Sequence, residues 1–383
     1  MTDQAIDVLV IGAGMAGAAV AAHLAAHASV RVIEMEGQPG YHSTGRSAAL
    51  FIETYGNAAI RALSRASRAM FFSPPGDFAA TPLVRPRPVL AFGRAGQEAA
   101  FEAFADRQSP EGRLVRVDAA GAVGLCPILR PEGLLGGLVD HGAADIEVHE
   151  LQQSYLRLLR RRGGSLVTDA RVSGLQRTPD GWRVECGAAA FRAAVIVNAA
   201  GAWAGEIGAM AGASEIGLQP RRRTAALVDA NVDPNWAMIV DVEEQFYAKP
   251  DAGRLLVSPA DETPSPPCDA YPEDLDVAIA VDRLQAATTV EVRRVSSRWA
   301  GLRSFVSDRS PVVGYDPRQP AFFWLAALGG YGIQTAPALS RVAASLVLRR
   351  PIDEDILEQG FHEKDVAPGR LQPVARPNLG KIS

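Results

Sequence analysis

Asp7-Val8-Leu9-Val10-Ile11-Gly12-Ala13-Gly14-Met15-Ala16-Gly17 is the stretch that decides the fold of this chain. The apolar, β-branched run up to Ile11 reads as a short strand buried on both faces of a parallel sheet. A glycine turn follows, then a small-residue helix from Ala18 to His27, then a second strand, Val30-Arg31-Val32-Ile33-Glu34. Together they make one βαβ unit of about 30 residues. In this setting Gly12 permits the tight turn, Gly14 lets backbone N–H groups approach a pyrophosphate, and Gly17 allows the helix to lie close to the strand. The helix N-terminus faces the anion. Glu34, ending the second strand, can accept hydrogen bonds from both ribose hydroxyls of an adenosine.

Beyond this unit, Glu150 to Arg161 repeats Leu151, Tyr155, Leu156, Leu158 and Leu159 at helical spacing and is stopped by Gly163-Gly164. Ser165–Thr168, Trp182–Glu185 and Arg192–Val197 read as strands, the last running into Asn198-Ala199-Ala200-Gly201. A buried strand ending in small residues is how a doubly wound sheet offers its carboxyl edge to a ligand. Between Arg221 and Arg303 the texture changes to strand-like pieces, Thr224–Val228 and Thr288–Val292, alternating with Pro-rich loops. This region reads as a second, largely antiparallel domain inserted into the first. The tail from Asp365 is rich in Pro and polar residues and is expected to dock loosely or fray.

The 383 residues suffice for two domains. Hydrophobic residues make up 48% and charged residues 21%, ordinary globular usage, and the formal charge of −4 gives no reason to expect a nucleic-acid partner. Cys126, Cys186 and Cys268 form no Cys-x-x-Cys pair, and the six histidines offer no three-ligand spacing, so neither a disulfide scaffold nor a metal site is expected. Val8 to Val30 carries no formal charge and is long enough to suggest a membrane span or signal. The acidic residues before it and the three glycines within it argue against that. No transmembrane segment and a cytoplasmic location are expected, with peripheral association at an inner membrane left open.

NAD and FAD share the glycine fingerprint, and only one such motif occurs. Gly40-Tyr41-His42-Ser43-Thr44-Gly45-Arg46-Ser47-Ala48-Ala49 is a small, polar segment suited to a long extended cofactor, which points to flavin. Gly329-Gly330-Tyr331-Gly332-Ile333-Gln334-Thr335 precedes an Ala-rich helix-forming run, so its amides can stabilise negative charge on a reduced flavin. Arg303 stands in the otherwise apolar run Trp299–Phe305, where a buried guanidinium needs an anionic partner.

These segments, with Asn198-Ala199-Ala200-Gly201-Ala202-Trp203 and Trp299-Ala300-Gly301-Leu302-Arg303, occur in the order of the D-amino-acid oxidase/glycine oxidase family of flavoproteins, which the chain resembles from about Asp7 to Thr335. Within it the chain, including the run Gln38–Ala49, resembles the bacterial D-arginine dehydrogenases. The resemblance implies an α/β protein with a Rossmann-like FAD-binding domain (1–80, 145–215 and 306–383). A substrate domain of largely antiparallel sheet plus helices (81–144 and 216–305) would be inserted into it. It implies noncovalent FAD held by Gly12, Gly14, Met15, Ala16, Gly17, Glu34, Met35, Ser43–Ala49, Val172, Ala200, Gly201, Gly330, Gly332, Ile333, Gln334 and Thr335. Arg223 and Arg303 match the family's carboxylate-binding arginines, Tyr55 and Tyr247 its active-site tyrosines, and Gly330 the glycine whose carbonyl meets the substrate amine. His42, which could be imagined as a covalent flavin attachment, is expected instead in a structural or phosphate-side role.

The activity so implied is oxidative deamination of a D-amino acid. A hydride passes from Cα to flavin N5, the imine is hydrolysed, and a quinone or other acceptor reoxidises the flavin. Where D-arginine dehydrogenases carry an acid, a histidine and a threonine around the side chain, this chain has Val89, Leu50 and Ile52, with Tyr331 completing the pocket. A cationic side chain would lack its counter-charge there, so apolar or aromatic D-amino acids are the expected substrates. Other chemistries fit the same frame: oxidation of N-methyl or cyclic secondary amino acids, dehydrogenation of 2-hydroxy acids, or a noncatalytic flavin-binding subunit. The stretch from Phe51 to Phe72 reads as a loop able to act as a lid.

Overall fold

The computed structural model describes residues 6–108 and 114–371. Its first layer is an eight-stranded sheet centred on Ile6–Ile11, which pairs in parallel with Val30–Ile33 on one side and Ala189–Asn198 on the other. Ser165–Val167 extends the parallel array beyond Val30–Ile33, and Phe322–Ala326 extends it beyond Ala189–Asn198. The hairpin Gly174–Thr178/Gly181–Cys186 and the edge strand Val312–Tyr315 add antiparallel margins. Alternation along the central strand explains its burial on both faces. Val8 and Val10 enter one core with the helices, while Leu9 and Ile11 enter the other with Trp182, Ile196 and Trp324.

The helix after the fingerprint runs Met15–Leu24, three residues earlier than its pattern suggests, because the glycine turn is complete at Gly14. Its alanines are strong helix formers and small enough to pack against Val148–Arg161 and Ala336–Val347. Only the start of Phe51–Phe72 is a loop: after the turns of 52–57, Ala58–Phe72 is a helix capped by Asn57, whose Oδ1 accepts from the Ile60 N–H at 3.1 Å. Ile60, Leu63 and Phe71 are buried on it, which anchors the helix in the core. The tail also packs more firmly than its composition suggests. Val366 is fully buried, its carbonyl accepts from Val313 N–H at 2.9 Å, and Arg370 pairs with Asp308 at 2.7 Å. Residues from 372 on lie outside the described residues.

The second layer is a nine-stranded sheet, antiparallel except where Met238–Asp241 runs parallel to Val89–Arg94. Gln219–Val228 pairs along its length with Val295–Phe305. The strand expected over Thr288–Val292 is absent. Thr288 Oγ1 donates back to the Leu284 carbonyl at 2.7 Å, Thr289 N–H turns to Ile128, and the β-branched run ends the helix Asp274–Ala287. The strand begins at Val295, bringing Trp299–Arg303 into the sheet. A three-stranded sheet of Leu50–Phe51, Ala144–Ile146 and Val84–Pro86 bridges the layers. No helix among the described residues is long and apolar enough to cross a membrane.

Candidate active site

The carboxyl edge of the first sheet opens into a trough. Gly12 has φ +100°, and a β-carbon there would lie 2.5 Å from the Ala199 carbonyl oxygen; one at Gly17 would lie 1.9 Å from the Gly12 oxygen. Glycine is therefore required at both. Glu34 is 8% exposed; its Oε2 accepts from Ala13 N–H at 2.7 Å and its Oε1 from Glu36 N–H at 3.1 Å. Two backbone amides fix the carboxylate at the mouth of the trough. Met35, Val172, Ala200 and Gly201 line this end with Gly12, Gly14 and Glu34. His42 lies here too, Nε2 2.9 Å from Glu36 Oε1 and its ring 4.6 Å from that of Trp203, at the end of the trough remote from Arg303.

From Gly14 the trough continues past Met15, Ala16, Ser43, Thr44, Arg46, Ser47 and Ala48 to Gly330, Gly332 and Ile333. Thr44 Oγ1 accepts from the Met15 N–H at 3.0 Å, so the second segment is tied to the helix N-terminus. Ser43 donates to Leu302 O at 2.6 Å and Trp299 Nε1 to Arg46 O at 2.9 Å, which fastens the same segment to the strand that carries Arg303. Arg46 acts as a tie between layers: its Nη1 donates to Ala270 O at 2.9 Å and Ala300 O at 3.0 Å, and it pairs with Asp269.

Three expected cofactor residues have other local work. Gly45 N–H closes a turn onto Gly40 O at 2.8 Å and lies off the trough. Thr335, fully buried, donates to Tyr331 O at 2.9 Å at the start of a helix. The Gln334 amide borders the cavity but is engaged by Ile52 N–H and Ser64 Oγ.

The trough ends in a cavity of about 610 Å³. Tyr55, Arg223, Tyr247, Arg303, Gly330, Tyr331, Leu50, Ile52, Val89 and Ala49 all border it, so residues far apart in sequence are brought together. Arg303 lies in the head of the cavity, and no carboxylate is bonded to it among the described residues. Arg223 donates through Nε to Asp261 O at 2.8 Å and lies 3.3 Å from Glu262 through Nη2. Burial pushes the Tyr247 hydroxyl toward the neutral form, yet the positive charges of Arg303 and Arg223, together with hydrogen bonds to Ser258 and Arg223, bring its pKa below the ordinary tyrosine value. Arg223 and Arg303, which border the cavity together, give this part of it positive charge. Tyr331, close to Tyr55 with ring centroids 5.1 Å apart, is pushed up to about 12, chiefly by burial.

The side-chain wall follows from strand register. Met238 opposes Val89 and Val89 opposes Asp140; in the next row of the same face Tyr247, Val240, Ala91 and Leu138 stand side by side. Pocket position thus supports Val89 and Leu50 as apolar wall, but the cavity is not without acids, and this corrects the sequence reading. Asp140, 7% exposed, accepts from Thr54 Oγ1 at 3.0 Å and Gly142 N–H at 2.9 Å, with no basic partner among the described residues. Glu262 and Glu244 border the cavity, as does Arg309. None of these stands in a recognisable motif.

A trough that would not tolerate β-carbons at its turn, has a fixed carboxylate at one end and guanidinium groups at the other fits an extended flavin dinucleotide. Comparison with known proteins agrees. The family model described as FAD dependent oxidoreductase, DAO, matches residues 7–346. The bovine FAD-dependent oxidoreductase domain-containing protein 1 is 26% identical over 173 residues, 40% of this chain and 36% of that protein. Mouse mitochondrial dimethylglycine dehydrogenase is 25% identical over 260 residues, 61% of this chain and 29% of that one. The chain thus matches only about a third of the length of these relatives. The crystal structure of glycine oxidase from Geobacillus kaustophilus superposes with a TM-score of 0.79 at 20% identity, covering 94% of this chain and 98% of that chain, and shares the fold.

Proposed function

Starting from a chain that belongs to the DAO family of FAD-dependent oxidoreductases, we propose that it oxidises D-amino acids to imines, which water hydrolyses to 2-oxo acids and ammonia. The observation that carries this reading is the pair Arg223 and Arg303, both bordering one cavity with Tyr247 between their charges. Two guanidinium groups can hold one carboxylate through several N–H bonds and fix the orientation of Cα. FAD, which Gly12, Gly14, Glu34 and Thr44 would hold noncovalently along the trough, would supply the two-electron acceptor for the Cα hydrogen. The Gly330 carbonyl would accept from the neutral substrate amine, and Tyr55 and Tyr331 would cover the amine side. Positioning supplies most of the rate. A quinone or similar compound is the proposed electron acceptor, and the D configuration rests on the likeness to D-arginine dehydrogenases.

The residues proposed for FAD and substrate border the trough and the cavity except Gly17, Gly45 and Thr335. Segments 1–80, 145–215 and 306–383 are assigned to the flavin domain and 81–144 and 216–305 to the substrate domain. Leu50, Ile52, Val89, Ala91, Met238 and Val240 favour an apolar or aromatic side chain, since a cation there would lose its hydration. Glu262 offers little compensation, being engaged by two arginines. A second reading is favoured by Asp140, whose place opposite Val89 would let it receive a donor at the tip of a polar side chain. Replacing Arg303 by Ala tests the main reading: oxidation of amino acids should collapse while that of amines without a carboxylate is little changed. Equal loss for both classes would count against the clamp.

A further inference from the structure

Of the arginines that border the cavity, Arg61, Arg223, Arg303 and Arg309, two share one carboxylate, Glu262, which contacts both Arg223 and Arg309. Arg309 takes Glu262 in a fork: Nη2 donates to Oε1 at 2.7 Å and Nη1 to Oε2 at 3.0 Å. Arg223 reaches the same Oε1 only at 3.3 Å. Arg309 is firmly placed. Its Cζ lies 4.0 Å from the centre of the Phe305 ring, its neighbour Asp308 is paired with Arg370, and the Ser310 hydroxyl accepts from Asn57 Nδ2 at 2.9 Å. Its backbone takes φ +60°, a conformation that residues with a β-carbon adopt rarely.

An acid beside an anion-binding arginine is a liability. It competes with a substrate carboxylate for the same N–H groups and repels it, and the guanidinium with which the acid is paired decides that competition. Building on the reading that Arg223 binds the substrate carboxylate, we propose that Arg309 is a positioning residue that holds Glu262 in its fork and so keeps the terminal N–H groups of Arg223 open to substrate. Without Arg309, both oxygens of Glu262 are free to close on Arg223. The loss of affinity then comes from Glu262, so removing the acid as well restores binding. A purely structural ion pair also recovers in stability when both charges are removed, so the readout that separates the two is anion affinity at little-changed kcat.

The test uses the FAD-loaded protein, its R309L, E262Q and R309L/E262Q variants, and two readouts. These are kcat and KM for D-norleucine with a dye acceptor, and the Kd of benzoate, a monocarboxylate with no oxidisable amine, from the flavin spectrum. R309L is expected to raise KM and the benzoate Kd about tenfold with kcat within about threefold. E262Q alone and the double variant are expected to stay within about threefold of the parent. R309K, which keeps the charge and loses the fork, covers the case in which R309L does not fold, and should be intermediate. A double variant as weak as R309L, or an R309L or R309K indistinguishable from the parent, overturns the proposal. So does a parent that does not bind benzoate. If the benzoate pattern holds but no D-amino acid is oxidised, the role of Arg309 stands and the substrate reading fails.

Discussion

A β-carbon on Gly330 would stand 2.7 Å from Nη1 and 3.0 Å from Cζ of Arg303, so the guanidinium lies against bare backbone. The clash is with the far end of a long side chain rather than with backbone. Gly330→Ala should therefore leave the fold intact and push the guanidinium aside. The expected result is a melting temperature within a few degrees of the parent and a KM for amino acids raised about tenfold, near 1.4 kcal/mol. Thermal unfolding and steady-state kinetics check it, and an unchanged KM would mean that Arg303 does not meet the substrate.

Burial pushes up the Tyr247 hydroxyl, but the charges of Arg303 and Arg223 and hydrogen bonds to Ser258 and Arg223 together hold it below its usual range. While it is neutral, both arginines keep their full charge for a carboxylate. As pH rises through its pKa the tyrosinate neutralises part of that charge, so anion affinity should fall on the alkaline side, below pH 10. An amine-free carboxylate isolates this limb, since the substrate amine has its own titration and should make oxidation rise with pH as it becomes neutral. Tyr247→Phe should abolish the alkaline loss of affinity. A limb that persists in this variant assigns the ionisation elsewhere.

Glu34 is held by two backbone N–H groups and retains lone pairs for a ribose. Glu34→Ala removes a charged acceptor and leaves the Ala13 amide short of its partner. FAD affinity should fall roughly 10- to 100-fold, or about 1.5–3 kcal/mol. Flavin content after dialysis and titration of the apoprotein measure this directly. Full retention of FAD would place the ribose elsewhere.

Much of this was legible in the sequence because it is local. The strand, glycine turn and helix around Gly12 declare themselves by short-range pattern, and Arg303 stands out as the one charge in an apolar run. Asp140, Met238, Glu262 and Arg309 were not legible. They reach the cavity through register between strands or turns more than 40 residues apart, as Asp140 does opposite Val89. Thr288–Val292 misleads for the opposite reason: its β-branched residues suit a strand, but local hydrogen bonds use them to end a helix.

Asp140 separates the two readings of the side-chain pocket. D-norleucine and D-ornithine have the same shape and differ in a terminal methyl or ammonium group. If the apolar wall dominates, D-norleucine should exceed D-ornithine in kcat/KM by at least about tenfold, and Val89→Glu should narrow or reverse the ratio. If Asp140 receives the tip, D-ornithine should compete well in the parent and lose about tenfold in Asp140→Asn. A ratio indifferent to both substitutions would show that the side chain lies away from this wall.

Anaerobic titration of the FAD-loaded protein with paired D- and L-amino acids, followed at the flavin absorption band, tests the central claim most directly. Bleaching by D-leucine, D-norleucine and D-phenylalanine, with no change on adding their L-isomers, is the expected result. Bleaching by the L-isomers alone, or by no D-amino acid at all, would contradict it.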